Sequence, residues 1–439
     1  MYSNDIEDLL KKNKIEIGDK IRIEKNNDEF IGTLLPRPDI GDKNTILIKL
    51  ENGYNIGIAY AKDIKIEKIS NTHSTFSFPK AEIKESKNLP KVTLIGTGGT
   101  IQSRIDYLTG GVYMLTKPEE LLYEIPEISN IANLNIIDLM NIASEDMTYK
   151  EWLKIAKAVK EAFDSGARGI VITHGTDTMH FTSAALSFLI QNPKGPVVIT
   201  GAQRSGDRPS SDAFLNLIGS LYIAANSDIG EVGICMHATS SDEKCNFIRG
   251  TKVRKMHTSR RDAFKPINNR PIALVDSKGN IEYKSRYRKI DNSEMKLFEK
   301  FEPNIALIYF HPNMDPSIID YYVEKGYKGI VIAGSGLGHV AVSPSNNSYS
   351  WIPHIKNAIN NGLIVCMTSQ CLYGRVHSKV YRNLRLISET GVTYCEDMLP
   401  EVAYVKLGFL LGNYNTENAK ALLNKNIVGE ITDRSEFDW

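Results

Sequence analysis

Val92-Thr93-Leu94-Ile95-Gly96-Thr97-Gly98-Gly99-Thr100-Ile101 sets the architecture of this chain. A short β-branched run ends abruptly in small and hydroxyl residues. The same grammar returns at Ile170-Val171-Ile172-Thr173-His174-Gly175-Thr176-Asp177-Thr178-Met179, and again at Val197-Val198-Ile199-Thr200-Gly201-Ala202-Gln203-Arg204. Between the first two runs, Trp152, Leu153, Ile155, Ala156, Val159 and Phe163 fall at helical spacing, and Gly166 follows as a stop. Strand, helix and strand in repetition predict a parallel sheet covered on both faces, so the fold class is α/β.

Working toward the C-terminus, a polar stretch from Lys284 to Glu299 interrupts this pattern and predicts a Glu/Lys helix in its second half. The pattern resumes at Ile305-Ala306-Leu307-Ile308-Tyr309, Ile330-Val331-Ile332-Ala333 and Leu363-Ile364-Val365-Cys366, which predicts a second, smaller α/β domain. Toward the N-terminus the character changes. Ile21-Arg22-Ile23-Glu24, Ile46-Leu47-Ile48-Lys49-Leu50 and Ile64-Lys65-Ile66-Glu67 alternate apolar with charged residues, the signature of strands wet on one face. Turn residues separate them at Asn26-Asn27-Asp28, Pro36-Arg37-Pro38-Asp39 and Glu51-Asn52-Gly53. Short strands with no room for a second layer predict a small β-barrel-like domain. The expected division is a β-rich domain at 1–72, a Ser-, Lys- and Pro-rich linker at 73–90, a larger α/β domain at 91–283, a connection at 284–303, and a smaller α/β domain at 304–439.

Composition narrows the function classes. Apolar residues make up 42% and charged residues 24%, ordinary for a globular protein and wrong for a fibre or a disordered tail. Lys plus Arg number 53 against 52 Asp plus Glu, so overall charge points to neither a nucleic-acid coat nor a membrane binder. Five scattered Cys form no C-x-x-C pair and no disulfide framework. No apolar run reaches the ~20 residues a bilayer span needs. Met1-Tyr2-Ser3-Asn4-Asp5 lacks the apolar core of a signal peptide, so the expected address is a reducing cytoplasm.

In open parallel sheets ligands bind beyond the carboxyl ends of the strands, so the chemistry belongs in the loops just quoted. Gly96-Thr97-Gly98-Gly99-Thr100-Ile101 fails as a dinucleotide fingerprint, because Ile101 stands where a third Gly is required, and no Gly-Lys-Ser/Thr triplet makes it a phosphate loop. Instead, Thr100 and Thr176 each present a hydroxyl beside glycines, and Asp177 follows the second. Glycine lets a substrate approach the backbone, whose N–H groups can receive an oxyanion. A Thr hydroxyl is a weak nucleophile until its proton is removed, and His174, Asp177 or a lysine could remove it. A lone His after a strand is more often a structural hydrogen-bonder than a base. The nine His are dispersed and no cluster has metal-ligand spacing, so no metal is expected.

Thr97-Gly98-Gly99-Thr100-Ile101, followed by Thr173-His174-Gly175-Thr176-Asp177-Thr178-Met179, resembles the two signatures of the bacterial-type L-asparaginase/glutaminase family. The resemblance extends through Asn141-Ile142-Ala143-Ser144-Glu145-Asp146-Met147, Gly201-Ala202-Gln203-Arg204 and Lys255, and covers roughly 91 to 412. It implies a two-domain asparaginase-like core. It also implies that Thr100 is the first nucleophile and that Thr176, Asp177 and Lys255 form the second catalytic group. Tyr107 is implied to sit on a mobile lid, while Ser144 and Glu145 hold the α-carboxylate and α-amino groups of the substrate. Asp146 reads instead as a cap of the following helix. Lys255 could act as a base if its pKa, ~10.4 when free, were lowered, or it could remain a charge that activates Thr176. Lys252, Arg254, Arg260 and Arg261 surround it, so without the resemblance Lys255 is one charge in a solvated basic run.

A β-rich extension on such a core resembles the ammonia-supplying subunits of archaeal tRNA-dependent amidotransferases, which convert Glu-tRNA(Gln) to Gln-tRNA(Gln). That resemblance implies glutamine as substrate, ammonia passed to a partner subunit, and ATP with Mg2+ used by the partner. This chain would then need no cofactor of its own. It further implies a homodimer within a heterotetramer, with Glu-tRNA(Gln) bound mainly through the partner. The alternative is a free-standing L-asparaginase, since the two amides differ by one methylene, worth ~1–3 kcal/mol in a pocket.

Overall fold

The structure, a computed structural model, describes residues 2–26, 28–36, 42–50, 55–70, 86–99, 103–105, 112–114, 126–204 and 210–434. The chain divides into two compact units, one of residues 1–84, 100–127 and 202–214, the other of 85–99, 128–201 and 215–439.

The first unit opens with a helix, α1 (Asn4–Lys12), that the strand alternation gave no reason to expect. Its Ile6 and Leu10 are buried on one face against the sheet that follows. Five strands, β1 (Lys20–Lys25), β2 (Asp28–Leu34), β3 (Thr45–Leu50), β4 (Asn55–Ala59) and β5 (Lys65–Ser70), pair antiparallel in the order β4-β3-β2-β1-β5. Period-two alternation decides their faces, with Ile21, Ile23, Ile46 and Ile48 inside and Glu24 and Lys65 in solvent. The sheet curls so that Lys25 Nζ, on β1, donates to the Ala59 carbonyl of β4 at 2.6 Å. Most of the expected linker, 73–85, lies outside the described residues.

The second unit is built on an eight-stranded sheet. β6 (Lys91–Gly96) is the quoted run. After a short pair in the first unit, β7 (Ser103–Ile105) with β8 (Val112–Met114), the sheet continues with β9 (Asn133–Asp138), β10 (Gly169–Thr173), β12 (Val197–Thr200) and β13 (Val232–His237). These strands run parallel in the order β9-β6-β10-β12-β13. Antiparallel β14 (Lys244–Arg249), β17 (Ala273–Asp276) and β18 (Ile281–Tyr283) extend the far edge. A separate ribbon of three-residue strands, β15 (Val253–Lys255) and β16 (Phe264–Pro266), follows β14. A second sheet, all parallel, orders β20 (Ile305–Tyr309), β21 (Gly329–Gly334), β22 (Ile364–Ser369) and β23 (Thr393–Tyr394). Helix α2 (Tyr149–Asp164), helix α3 (Met179–Leu189) and a late helix, α4 (Pro400–Asn413), cover these sheets. Ile170, Phe188 and Ile234 share one apolar cluster with Val331, Ile364, Leu407 and Phe409, so both sheets rest on a common core.

Two local readings need correction. The stretch 293–299 is not a helix. Leu297 pairs with Ile190 in a short ladder, β19 (Lys296–Leu297) against β11 (Ile190–Gln191), and Phe298 N–H donates to Leu189 O at 2.9 Å. With Met295 buried as well, tertiary pairing overrides the helical preference of the Glu and Lys residues. Nor does Asp146 cap α2. The cap is Thr148, whose Oγ1 accepts from Lys150 N–H at 3.3 Å while Glu151 accepts the Thr148 N–H at 2.9 Å, a reciprocal capping box. Thr148→Ala should therefore lower unfolding stability by about 1 kcal/mol, measurable by denaturant titration, with no change in the pairing of β10.

Candidate active site

Three loops at the carboxyl ends of adjacent parallel strands converge. Thr97 Oγ1, after β6, donates to Thr173 O at 2.7 Å, and Ile142 N–H, after β9, donates to Thr97 O at 3.1 Å. The glycines make this approach possible. Gly98 and Gly99 take φ of +117° and +92°. A Cβ on Gly99 would lie 2.7 Å from Gly175 N, and one on Gly175 would lie 2.9 Å from Ser144 Cβ. Thr178 Oγ1 closes the arrangement by donating to Ser144 O at 2.5 Å. Ser144 is buried and its hydroxyl lies 3.4 Å from Glu145 Oε2, whereas the Glu145 side chain is exposed. Thr100 and Tyr107 lie outside the described residues.

Thr176, Asp177 and Lys255 meet. Lys255 Nζ donates to Thr176 Oγ1 at 2.9 Å and to Asp177 Oδ1 at 2.7 Å. The lysine side chain is covered and the aspartate is open, with side chains 9% and 68% exposed, so the cation meets Asp177 from the buried side. From the far side the β12 loop presses on Thr176, where a Cβ on Gly201 would come 3.1 Å from Thr176 Cγ2. That loop is pinned by Asn216 Nδ2 to Gly201 O at 2.9 Å, and Asn216 Oδ1 is 2.6 Å from His237 Nδ1. Nothing in the local sequence pointed to Asn216 or His237, because their partners are remote in the chain.

The neighbouring cations are each paired, although Arg260 is exposed. Lys252 is buried against Asp397 at 2.7 Å, and burial pulls its ammonium below its ordinary range. Arg254 faces Glu401 at 3.6 Å, Arg260 pairs with Asp262, and Arg261 reaches Asp242. Each charge found a carboxylate that sequence spacing could not reveal.

His174 is structural in its contacts. It is buried, and its Nδ1–H donates to Gly175 O at 2.6 Å. Burial pushes His174 and His180 down to about 4, so both are neutral at physiological pH. Stability that depends on neutral imidazoles is fully present above the ordinary His value of ~6.5 and is lost as pH falls through about 4. The melting temperature should accordingly be lower at pH 5 than at pH 7, and His180→Gln should narrow that difference.

A cavity of about 880 Å3 opens elsewhere in this unit, walled by residues such as Arg249, Arg286, Tyr287 and Thr432. Thr176 and Lys255 do not line it. Among the described residues no group of His, Cys, Asp and Glu is arranged to hold a metal, and no helix is long and apolar enough to cross a membrane.

The parallel core, with this Thr–Asp–Lys contact beyond the ends of its strands, has the fold of the asparaginases. Residues 91–289 match the family described as Asparaginase, N-terminal, and 304–422 match the Glutaminase/Asparaginase C-terminal domain. The solved L-asparaginase of Thermococcus kodakarensis is similar with a TM-score of 0.69 at 32% identity, covering 78% of this chain and 99% of that one. L-asparaginase I of Vibrio cholerae gives 0.67 at 28%, with the same coverage. Residues 15–69 match the GatD N-terminal domain. The D subunit of the glutamyl-tRNA(Gln) amidotransferase of Pyrococcus furiosus is 50% identical over 435 residues, 97% of each chain, and that of Pyrococcus abyssi is 48% identical over 440 residues, 99% of each. The chain belongs to this GatD family of glutamyl-tRNA(Gln) amidotransferase subunits.

Proposed function

We infer that this chain is the glutamine-hydrolysing, ammonia-supplying subunit of the amidotransferase that converts Glu-tRNA(Gln) to Gln-tRNA(Gln). The observation that carries this reading is full-length similarity to amidotransferase subunits, the N-terminal β domain included. The asparaginases cover 78% of the chain, so the core alone accounts for hydrolysis and not for the extension.

In this reading Thr100 Oγ attacks the carboxamide carbon of glutamine. The C–N bond breaks, and the hydroxyl proton ends on the departing nitrogen, which leaves as ammonia. Water then cleaves the glutamyl ester, freeing glutamate and restoring the hydroxyl. The Thr176–Lys255 contact supports the second group's role in moving the proton, with Asp177 fixing the ammonium. Ser144 and Glu145 engage the α-carboxylate and α-ammonium, and Asp177 shares the latter, since paired charges make strong hydrogen bonds. Tyr107 closes over the nucleophile as part of a lid that excludes water. The E subunit of the amidotransferase activates the tRNA-linked glutamate with ATP and Mg2+, holds most of the tRNA, and receives the ammonia. Two copies of each chain form the complex in the cytoplasm, where the five thiols stay reduced.

The test is glutamine hydrolysis by the full-length chain alone, then with the partner subunit and Glu-tRNA(Gln). The expected result is a rise in hydrolysis on assembly, together with formation of Gln-tRNA(Gln). Full unregulated hydrolysis by the chain alone, a higher kcat/KM for asparagine than for glutamine, and no copurifying ATP-dependent partner would instead establish a free-standing asparaginase.

A further inference from the structure

We propose that Arg254 and Glu401 are positioning residues for the second catalytic group, holding the short strand that carries Lys255 in register with Thr176. The inference rests on the assignment of Lys255 and Thr176 made above.

The strand needs such a device. β15 is three residues long and among the described residues pairs only with β16, another three-residue strand, and a two-stranded ribbon is marginal in water. It is held instead by side chains. Val253 is buried in the common core, and Lys252, just before the strand, is buried against Asp397. Successive strand residues point to opposite faces. Lys255 goes to Thr176 and Asp177, so Arg254 goes the other way, to Glu401 Oε2 at 3.6 Å. Asp397 lies just ahead of α4 and Glu401 lies in its first turn. One helix end of the smaller domain therefore grips the ribbon at both residues flanking Val253.

Glu401 has the surroundings of a residue kept for its charge. It is 2% exposed, and Oε1 has no hydrogen-bond partner. An uncompensated buried carboxylate costs several kcal/mol unless a cation faces it, and Arg254 is that cation. The groups facing the pair are Tyr309 at the end of β20, whose hydroxyl interacts with both, and His180 on α3, which feels both Arg254 and Lys255. Tyr404 lies one turn further along α4. Burial raises the Glu401 carboxyl above its usual range, partly offset by Arg254. Acid would therefore neutralise Glu401 at a higher pH than an ordinary glutamate, releasing Arg254 and the ribbon.

The experiment measures kcat, KM for glutamine, pH profile and melting temperature for full-length Glu401→Gln, Arg254→Met and the double variant, each with the partner subunit. A displacement of about 1 Å at a catalytic group costs up to ~100-fold in rate, so each single variant is expected to lose ~10–100-fold in kcat with KM unchanged. The acid limb of the rate profile should move to lower pH in Glu401→Gln. The double variant should be no slower than the slower single one, and Arg254→Lys should recover part of the rate. Unchanged kcat in both singles, additive losses in the double, or losses that track melting temperature alone would overturn the proposal. Lys255→Met is the control on the underlying assignment. If it retains full rate, the catalytic reading fails, and this is distinguished from a Lys255→Met loss accompanied by full activity in Glu401→Gln, which sinks only the positioning role.

Discussion

Thr100→Val should abolish glutamine hydrolysis, lowering kcat by ~10^4-fold or more while leaving the fold and any partner complex intact. Valine is nearly isosteric with threonine, so the change removes the hydroxyl proposed to attack and little else. Removing the nucleophile of a hydrolase that works through a covalent intermediate typically costs as much as removing its whole catalytic set. The residue follows Gly99, whose backbone abuts Gly175 and leaves no room for a side chain between the loops. The measurement is ammonia release at saturating glutamine, with thermal melting and gel filtration beside it. Ammonia supplied in solution should still support conversion of Glu-tRNA(Gln) by the assembled complex, because only the source of nitrogen has been cut. Hydrolysis at the wild-type rate would require a different nucleophile and would make Thr176 the first residue to examine.

The parallel core was legible because its strands announce themselves. Val92–Ile95, Ile170–Thr173 and Val197–Thr200 are β-branched runs cut by glycine, and they pair as neighbours in the sheet. Helix α2 was legible for the same local reason, with its buried face at Trp152, Ile155, Ala156, Val159 and Phe163. What could not be read locally was anything decided by a distant partner. Lys255 is indistinguishable from Lys252 and Arg254 by composition, yet the first reaches Thr176, the second Asp397 and the third Glu401. Only resemblance to a family singled it out. The same blindness gave a helix at 293–299, where the ladder to Ile190 prevails, and hid α1, whose apolar stripe is short, Ile6, Leu9 and Leu10. Glycine was the best local signal of all, because Gly99, Gly175 and Gly201 mark where three backbones press together.

Lys255→Met should reduce kcat by ~10^2–10^4-fold, the range of a lost proton-transfer group, and the companion Lys255→Arg decides how the lysine works. In the resting geometry Nζ touches both Thr176 Oγ1 and Asp177 Oδ1, an arrangement compatible with either a proton acceptor or a fixed positive charge. Arginine keeps the charge and cannot be deprotonated in a protein. If the lysine acts by charge, lowering the pKa of the Thr176 hydroxyl, arginine should recover a substantial part of the rate, and Asp177→Asn should weaken it by releasing the cation. If the lysine is the base, arginine should be as slow as methionine. Equal, near wild-type rates for Lys255→Met and Lys255→Arg would remove the lysine from the mechanism. The 2.9 Å contact would then be a structural anchor for the loop after β10.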